Sequence, residues 1–150
     1  MSILVTGGCG FIGSNLVQTL LARGEKVVNL DCLSYNSTVP PIPASENYHF
    51  IKKNLRDADL PEIMERYDVR YVYHLAAQTH VDQSFRNSVH FSEDNVVGTH
   101  SLLEAVGKYG KIVRFVHMST DEVYGQVFDK VTETARMNPT VPYAPTKCGA

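Results

Sequence analysis

The 150 residues include 43% hydrophobic and 20% charged side chains, with a formal net charge of −2. That length can enclose one domain with a core, and the near-balanced charge argues against nucleic-acid or membrane partners held by bulk electrostatics. No apolar run is long enough for a membrane span, and no targeting segment precedes the first element, so a cytoplasmic protein is expected. Cys9, Cys32 and Cys148 are odd in number, lack metal-ligand spacing and read as reduced thiols.

Ile3–Thr6 reads as a buried strand. Glycines follow at Gly7, Gly10 and Gly13, and an apolar helical pattern (Ile12, Leu16, Leu20, with Val17 and Leu21 beside them) begins at once. Strand, glycine turn and helix form the context of a dinucleotide fingerprint. Gly7 can turn the chain off the strand, Gly10 lets backbone approach a pyrophosphate, and Gly13 lets helix and strand pack closely. The phosphates would sit at the helix N-terminus, where free N–H groups favour negative charge. The spacing is G-x-x-G-x-x-G rather than G-x-G-x-x-G, and a tight βα turn without ligand is the competing reading.

A second strand, Lys26–Asp31, follows Gly24, a helix C-cap candidate. Asp31 lies eighteen positions after Gly13, near the place where a dinucleotide unit carries an acid for the adenosine ribose hydroxyls. That carboxylate would repel a 2′-phosphate, which favours NAD over NADP; a solvated aspartate is the alternative. Residues 34–46, with Pro40, Pro41 and Pro43, read as a loop. Tyr48–Lys52 is a third strand, Leu60–Tyr67 a short helix and Arg70–Ala76 a fourth strand. The alternation predicts an α/β fold: a Rossmann-like, doubly wound parallel sheet in which the first two crossovers build the order 3-2-1 and strand four starts the other side.

Val89–Tyr109 carries the longest helical pattern. Val89, Val96, Leu103 and Val106 form one stripe, widened by Phe91, Leu102 and Ala105. Such width fits either burial on the sheet plus a partner helix or a broad core-facing helix in a monomer. Arg114–Ser119 is the fifth strand. Asp121 and Glu122 then stand past a strand's C-terminal end, where open α/β sheets form sites. They can split into a general acid and a general base if their environments differ, or be a solvated turn. Thr120 offers a hydroxyl to orient a substrate oxygen. Tyr143 and Lys147 share a helical face, and an ammonium near a phenol favours phenolate. Pro145 is tolerated only in a first turn, so that helix is predicted to begin near Ala144 with Tyr143 at its mouth. His74, His80 and His117 show no ligand spacing and read as structural or solvent-facing, with no metal expected.

Five stretches together resemble the extended short-chain dehydrogenase/reductases, and within them the nucleotide-sugar 4,6-dehydratases acting on dTDP-glucose or UDP-glucose. They are Thr6–Gly13, Leu75–Asp82, Asn95–Thr99, Ser119–Gly125 and Tyr143…Lys147. The resemblance runs over the whole chain and implies a lyase with bound NAD. In it Tyr143, aided by Thr120 and Lys147, takes the proton of the sugar 4-hydroxyl while C4 gives hydride to NAD. Glu122 takes the C5 proton, Asp121 protonates the departing 6-hydroxyl, and hydride returns to C6. Epimerases and decarboxylases of the superfamily generally lack an aspartate where Asp121 stands.

The resemblance further puts Phe11 and Ile12 on the pyrophosphate, Asp31, Cys32, Leu33 and Ser34 on the ribose, and Asn54 and Leu55 over the adenine, where relatives usually carry Asp-Ile. Leu75, Ala76, Ala77 and Thr79 fall near the nicotinamide half, Thr79 also touches the sugar, and Lys147 holds the nicotinamide ribose. Relatives often have lysine at Cys32, arginine at Gln83 and threonine at Asp94. A UDP-sugar epimerase or decarboxylase of the same superfamily, or a non-catalytic NAD-binding module, are the rival readings. Family members are about twice this length. The expectation is therefore an incomplete NAD-binding domain, cut after strand five and the start of the next helix and lacking the substrate-binding part. It should be inactive alone and form a homodimer through helix 89–109.

Overall fold

The computed structural model of the chain describes residues 1–35, 37, 42–43 and 45–150. Five parallel strands form one sheet in the order β3-β2-β1-β4-β5: β1 (Ser2–Thr6), β2 (Val27–Asp31), β3 (Tyr48–Lys52), β4 (Val69–His74) and β5 (Arg114–His117). The predicted 3-2-1 order and the reversal at β4 are both present. Pro40 and Pro41 of the predicted loop lie outside the described residues. β1 and β2 are buried along their whole length, as strands covered on both faces must be.

Alternation of side chains across β1 and β2 builds two cores. Leu4, Val28 and Leu30 join Leu60, Ile63 and Met64 of α2 (Leu60–Arg66) and Leu102 and Ala105 of α5 (Gly98–Tyr109) on one face. Ile3, Val5 and Val27 join Val17 and Leu20 of α1 (Phe11–Ala22) on the other. Gly24, at φ +78°, ends α1 in the left-handed conformation expected of a cap, its N–H bonded to Leu21 O at 2.9 Å. Asp59 starts α2 by accepting from the Glu62 N–H at 3.1 Å.

The chain divides into two compact units, 1–76 with 101–118, and 77–100 with 119–150. The sheet belongs to the first. The second carries α3 (Val81–Arg86), α4 (Ser88–Ser92), a π turn (Glu93–Val97), a 3₁₀ turn (Asp121–Tyr124) and α6 (Tyr143–Gly149).

The helical run over 88–109 matches the predicted extent but not the predicted stripe. The π turn adds a residue to the winding and shifts the phase. Of that stripe Val89 and Leu103 are exposed and Val96 and Val106 half-buried, whereas the flanking Phe91, Leu102 and Ala105 are buried with Asn95 and Thr99. A heptad count through Val89, Val96 and Leu103 presumes uninterrupted α-helix, which this run is not. α3 did not emerge from the sequence pattern at all. No helix among the described residues is long and apolar enough to cross a membrane.

Candidate active site

In the first unit, the glycines occupy positions that sterics reserve for them. Gly7 has φ +73°, and a Cβ there would lie 2.7 Å from Ala76 N. A Cβ on Gly13 would collide with Gly7 O and come within 2.8 Å of Gly8 Cα. Gly8, to which the sequence reading gave no role, is equally constrained: the Asn29 side-chain carbonyl occupies the place of its Cβ. Gly10 differs, since its Cβ direction meets only Gly7 O, at 3.4 Å. Its surroundings are open, and Phe11 and Ile12 beside it are exposed. Gly10 is the N-cap of α1 and brings no capping side chain, so the first-turn N–H groups of a twelve-residue helix await an acceptor. A cradle that a side chain would fill, ahead of uncapped N–H groups, fits the pyrophosphate of a dinucleotide.

Asp31, at the end of β2, is 7% exposed and tied to the same turn. Its carboxylate accepts from the Cys9 N–H at 2.9 Å, the Leu33 N–H at 2.7 Å and the Ser37 hydroxyl at 3.2 Å. It therefore bridges the glycine turn and the 31–34 strip, where Leu33 is left-handed (φ +55°), Cys32 is exposed and Ser34 half-buried. Beneath lies a polar cluster the sequence did not announce. Asn29 Nδ2 donates to Tyr48 Oη at 2.9 Å and to Cys9 Sγ at 3.5 Å. Burial, and secondarily the Asp31 charge, pushes the Cys9 thiol up; burial pushes the Tyr48 phenol up.

Asn54 Oδ1 accepts from the Arg56 N–H at 3.0 Å, while the Leu55 side chain lies in the core with Leu4 and Leu30. Only the backbone of Leu55 is thus available to a ligand. Leu75 and Ala76 follow β4, held through Thr6: its carbonyl accepts from Leu75 N at 3.1 Å, and its hydroxyl from Ala76 N at 3.3 Å. His74, structural as predicted, bonds the Thr6 hydroxyl through Nδ1 at 2.7 Å.

The second unit holds Ala77, Thr79, Thr120, Asp121, Glu122, Tyr143 and Lys147. Thr120 caps the 3₁₀ turn by accepting from Glu122 N–H at 3.3 Å, and its hydroxyl lies 3.4 Å from Asp121 Oδ1. Besides burial, which raises the Tyr143 phenol, the same hydroxyl lowers it and the two carboxylates raise it. Thr120, Asp121 and Glu122 are thus joined within one short turn whose polar groups act on Tyr143. α6 begins at Tyr143 with Pro145 in its first turn, as predicted. Phe91 meets the Tyr143 ring edge-on, with centroids 6.4 Å apart.

Electrostatics departs from the sequence expectation for the phenol. Burial pushes Tyr143 up and the Glu122 and Asp121 carboxylates push it further, against the lowering effect of the Thr120 hydroxyl. Lys147 is itself buried, which pushes its ammonium down to about 8. Between about pH 8 and its ordinary value near 10.5 the unfolded chain binds a proton that the folded chain does not. Stability therefore rises with pH across that window, and below it the full cost of burying the charge remains. Lys147→Met is expected to raise the unfolding free energy near neutral pH by roughly 2–3 kcal/mol and to flatten the alkaline rise. Urea unfolding near neutral pH and again in the window checks this; a less stable variant at neutral pH would contradict it.

Three further polar residues of this unit, given no individual role from the sequence, are buried: Gln78, Asn95 and Thr146. The signal available was a polar Asn-x-x-Gly-Thr interruption in an otherwise apolar helix face.

Comparison with known proteins agrees with this arrangement. The family model described as GDP-mannose 4,6 dehydratase matches residues 4–150. A trifunctional UDP-glucose 4,6-dehydratase/UDP-4-keto-6-deoxy-D-glucose 3,5-epimerase/UDP-4-keto-L-rhamnose-reductase of Arabidopsis thaliana is 42% identical over 159 residues, covering 99% of this chain and 24% of that protein. The dTDP-glucose 4,6-dehydratase DesIV of Streptomyces venezuelae, solved with NAD and TYD bound, is 39% identical with a TM-score of 0.90, covering 99% of this chain and 49% of that one. The UDP-glucose 4-epimerase of Thermotoga maritima, solved with UDP-glucose, is 34% identical with a TM-score of 0.86, covering 99% and 48%. The chain thus spans a quarter to a half of these relatives. With its fold, its glycine turn and its matched length all in accord, the chain belongs to the GDP-mannose 4,6 dehydratase family.

Proposed function

We propose that this chain is the NAD-binding and proton-transferring part of a lyase that converts a nucleotide-activated glucose, dTDP-glucose or UDP-glucose, into its 4-keto-6-deoxy product. The observation that carries the reading is the Thr120–Asp121–Glu122 turn, whose hydroxyl and two carboxylates act on the Tyr143 phenol at the start of α6. An epimerase, which expels no water from C6, has no use for the additional Asp121 carboxyl, and a mere NAD-binding module has no use for any of these groups.

Residues 1–76 supply the dinucleotide cradle: the α1 N-terminus for the pyrophosphate and Asp31 for the adenosine ribose. When bound, NAD would supply the acceptor for the C4 hydride and, once water has left, its donor back to C6, together with a positive ring whose field favours the Tyr143 phenolate. Tyr143 takes the proton of the sugar 4-hydroxyl, which Thr120 orients, and Lys147 holds the nicotinamide ribose. The ketone so formed acidifies C5–H; Glu122 removes that proton and Asp121 gives its own to the leaving 6-hydroxyl, so that water departs. Thr79, exposed after the buried Gln78, would touch the sugar.

Further parts of the proposal are a cytoplasmic setting, consistent with Cys9, Cys32 and Cys148 forming no disulfide, and a homodimer through the 89–109 run, where Val89, Val97 and Leu103 stay exposed. The test is to incubate a form of the protein that turns over with NAD and dTDP-glucose or UDP-glucose and identify the product. A 4-keto-6-deoxy sugar supports the reading; a 4-epimer or a decarboxylated sugar overturns it.

A further inference from the structure

The strip 77–79 and helix α6 are joined inside the second unit by one buried amide. Asn95, 1% exposed in the π turn, pairs with the backbone of Gln78 as another peptide would: Oδ1 accepts from Gln78 N–H at 2.7 Å, and Nδ2 donates to Gln78 O at 3.0 Å. The remaining Nδ2 hydrogen goes to Thr146 Oγ1 at 2.9 Å. Thr146, 5% exposed, donates in turn to Tyr143 O at 2.6 Å. Its hydroxyl is therefore oriented at both ends, accepting from Asn95 and donating to the first turn of α6. Two neighbours hold the hub in place. Thr99 Oγ1 donates to Asn95 O at 2.6 Å, and Gln78 Nε2 donates to Asp94 Oδ2 at 2.8 Å.

Helix packing alone does not need this chain of bonds. A valine of the same shape would fill the site of Thr146, and a hydrophobic pair could replace both partners at little cost. The polar version fixes direction as well as contact. Thr146 stands three residues after Tyr143 and one before Lys147, so a rotation or slide of this turn moves both side chains together.

We propose that Thr146 is a positioning residue: relaying the Asn95 amide to Tyr143 O, it sets the placement of the Tyr143 phenol and the Lys147 ammonium against the 77–79 strip. The proposal rests on the reading of Tyr143 and Lys147 as reacting groups, but its test needs neither cofactor nor sugar, so the two can fail separately.

The experiment is a pH titration of the protein with ¹³C-labelled lysine, followed by NMR at Lys147, in the wild type, Thr146→Val and Thr146→Ser. The wild-type ammonium is expected to titrate at about 8, pushed down by burial. In Thr146→Val the freed turn lets Lys147 reach water, and its titration moves up by roughly a unit or more toward the ordinary lysine value. Thr146→Ser, which keeps the hydroxyl, titrates as the wild type does. A folded Thr146→Val that loses stability while Lys147 titrates unchanged would reduce the hydroxyl to a structural bond and overturn the proposal. Should Thr146→Val not fold, the wild type decides. The side-chain amide protons of Asn95 are expected to exchange with water at least about tenfold more slowly than those of exposed Asn87, as locked donors do; exchange at the exposed rate overturns the relay.

Discussion

Gly10→Ala is expected to fold like the wild type and to lose affinity for NAD by roughly 100-fold, about 2.8 kcal/mol. Its backbone, at φ −78°, suits alanine, and its Cβ would meet only Gly7 O at 3.4 Å. The methyl group would instead stand in the open cradle ahead of the α1 N-terminus, where the pyrophosphate must approach. Gly13→Ala makes the contrast. There a Cβ meets Gly7 O and Gly8 Cα, so α1 has to move off the glycine turn, at a cost of roughly 1–3 kcal/mol to the fold as well as to the ligand. Thermal unfolding paired with NAD titration separates the two. A tight turn with no ligand role would leave binding in Gly10→Ala unchanged.

The second large effect lies in the other unit. Tyr143→Phe is expected to stop the first step, because phenylalanine carries no phenol to take the proton of the sugar 4-hydroxyl. Asp121→Asn and Glu122→Gln should spare hydride removal from C4 and slow the loss of water by about 10²–10⁴-fold, the usual worth of a positioned proton donor or acceptor. Both amides keep the shape of the 3₁₀ turn, and its cap, Thr120 accepting from Glu122 N–H, is untouched. Single-turnover measurement of reduced cofactor against 4-keto-6-deoxy product, in a form of the protein that turns over, resolves the steps. Accumulated reduced cofactor with little product is the expected signature of the two amide variants. Unchanged turnover in Asp121→Asn would remove it as the general acid.

What the sequence reveals follows from how local the determining contacts are. β1, the glycine turn and α1 are legible because Ile3 to Leu20 carry their alternation, turn chemistry and helical period within one short stretch. Strand order is legible because parallel crossovers leave few arrangements. The π turn is not, since its winding is fixed by distant partners: Asn95 bonds Gln78 seventeen residues back and Thr146 fifty-one residues on. The expectation that Lys147 lowers the Tyr143 phenol came from their spacing alone. Burial, which spacing does not report, instead pushes the phenol up and the ammonium down. Asp31 is a middle case. Its place at the end of β2 was legible, but its hold on the Cys9 N–H was not, and that hold gives it a duty in shaping the turn beside any ribose contact.

That double duty makes Asp31 the most direct probe of the NAD site. The measurement is a calorimetric titration of this chain with NAD and with NADP, wild type beside Asp31→Ala. The wild type should bind NAD at one site at least about tenfold more tightly than NADP, the worth of a charged hydrogen-bond pair kept for ribose hydroxyls and denied to a 2′-phosphate. Asp31→Ala should weaken NAD through loss of both the ribose bond and the turn, and narrow the gap to NADP. Tighter binding of NADP by the wild type, or no binding of either dinucleotide, would contradict the account.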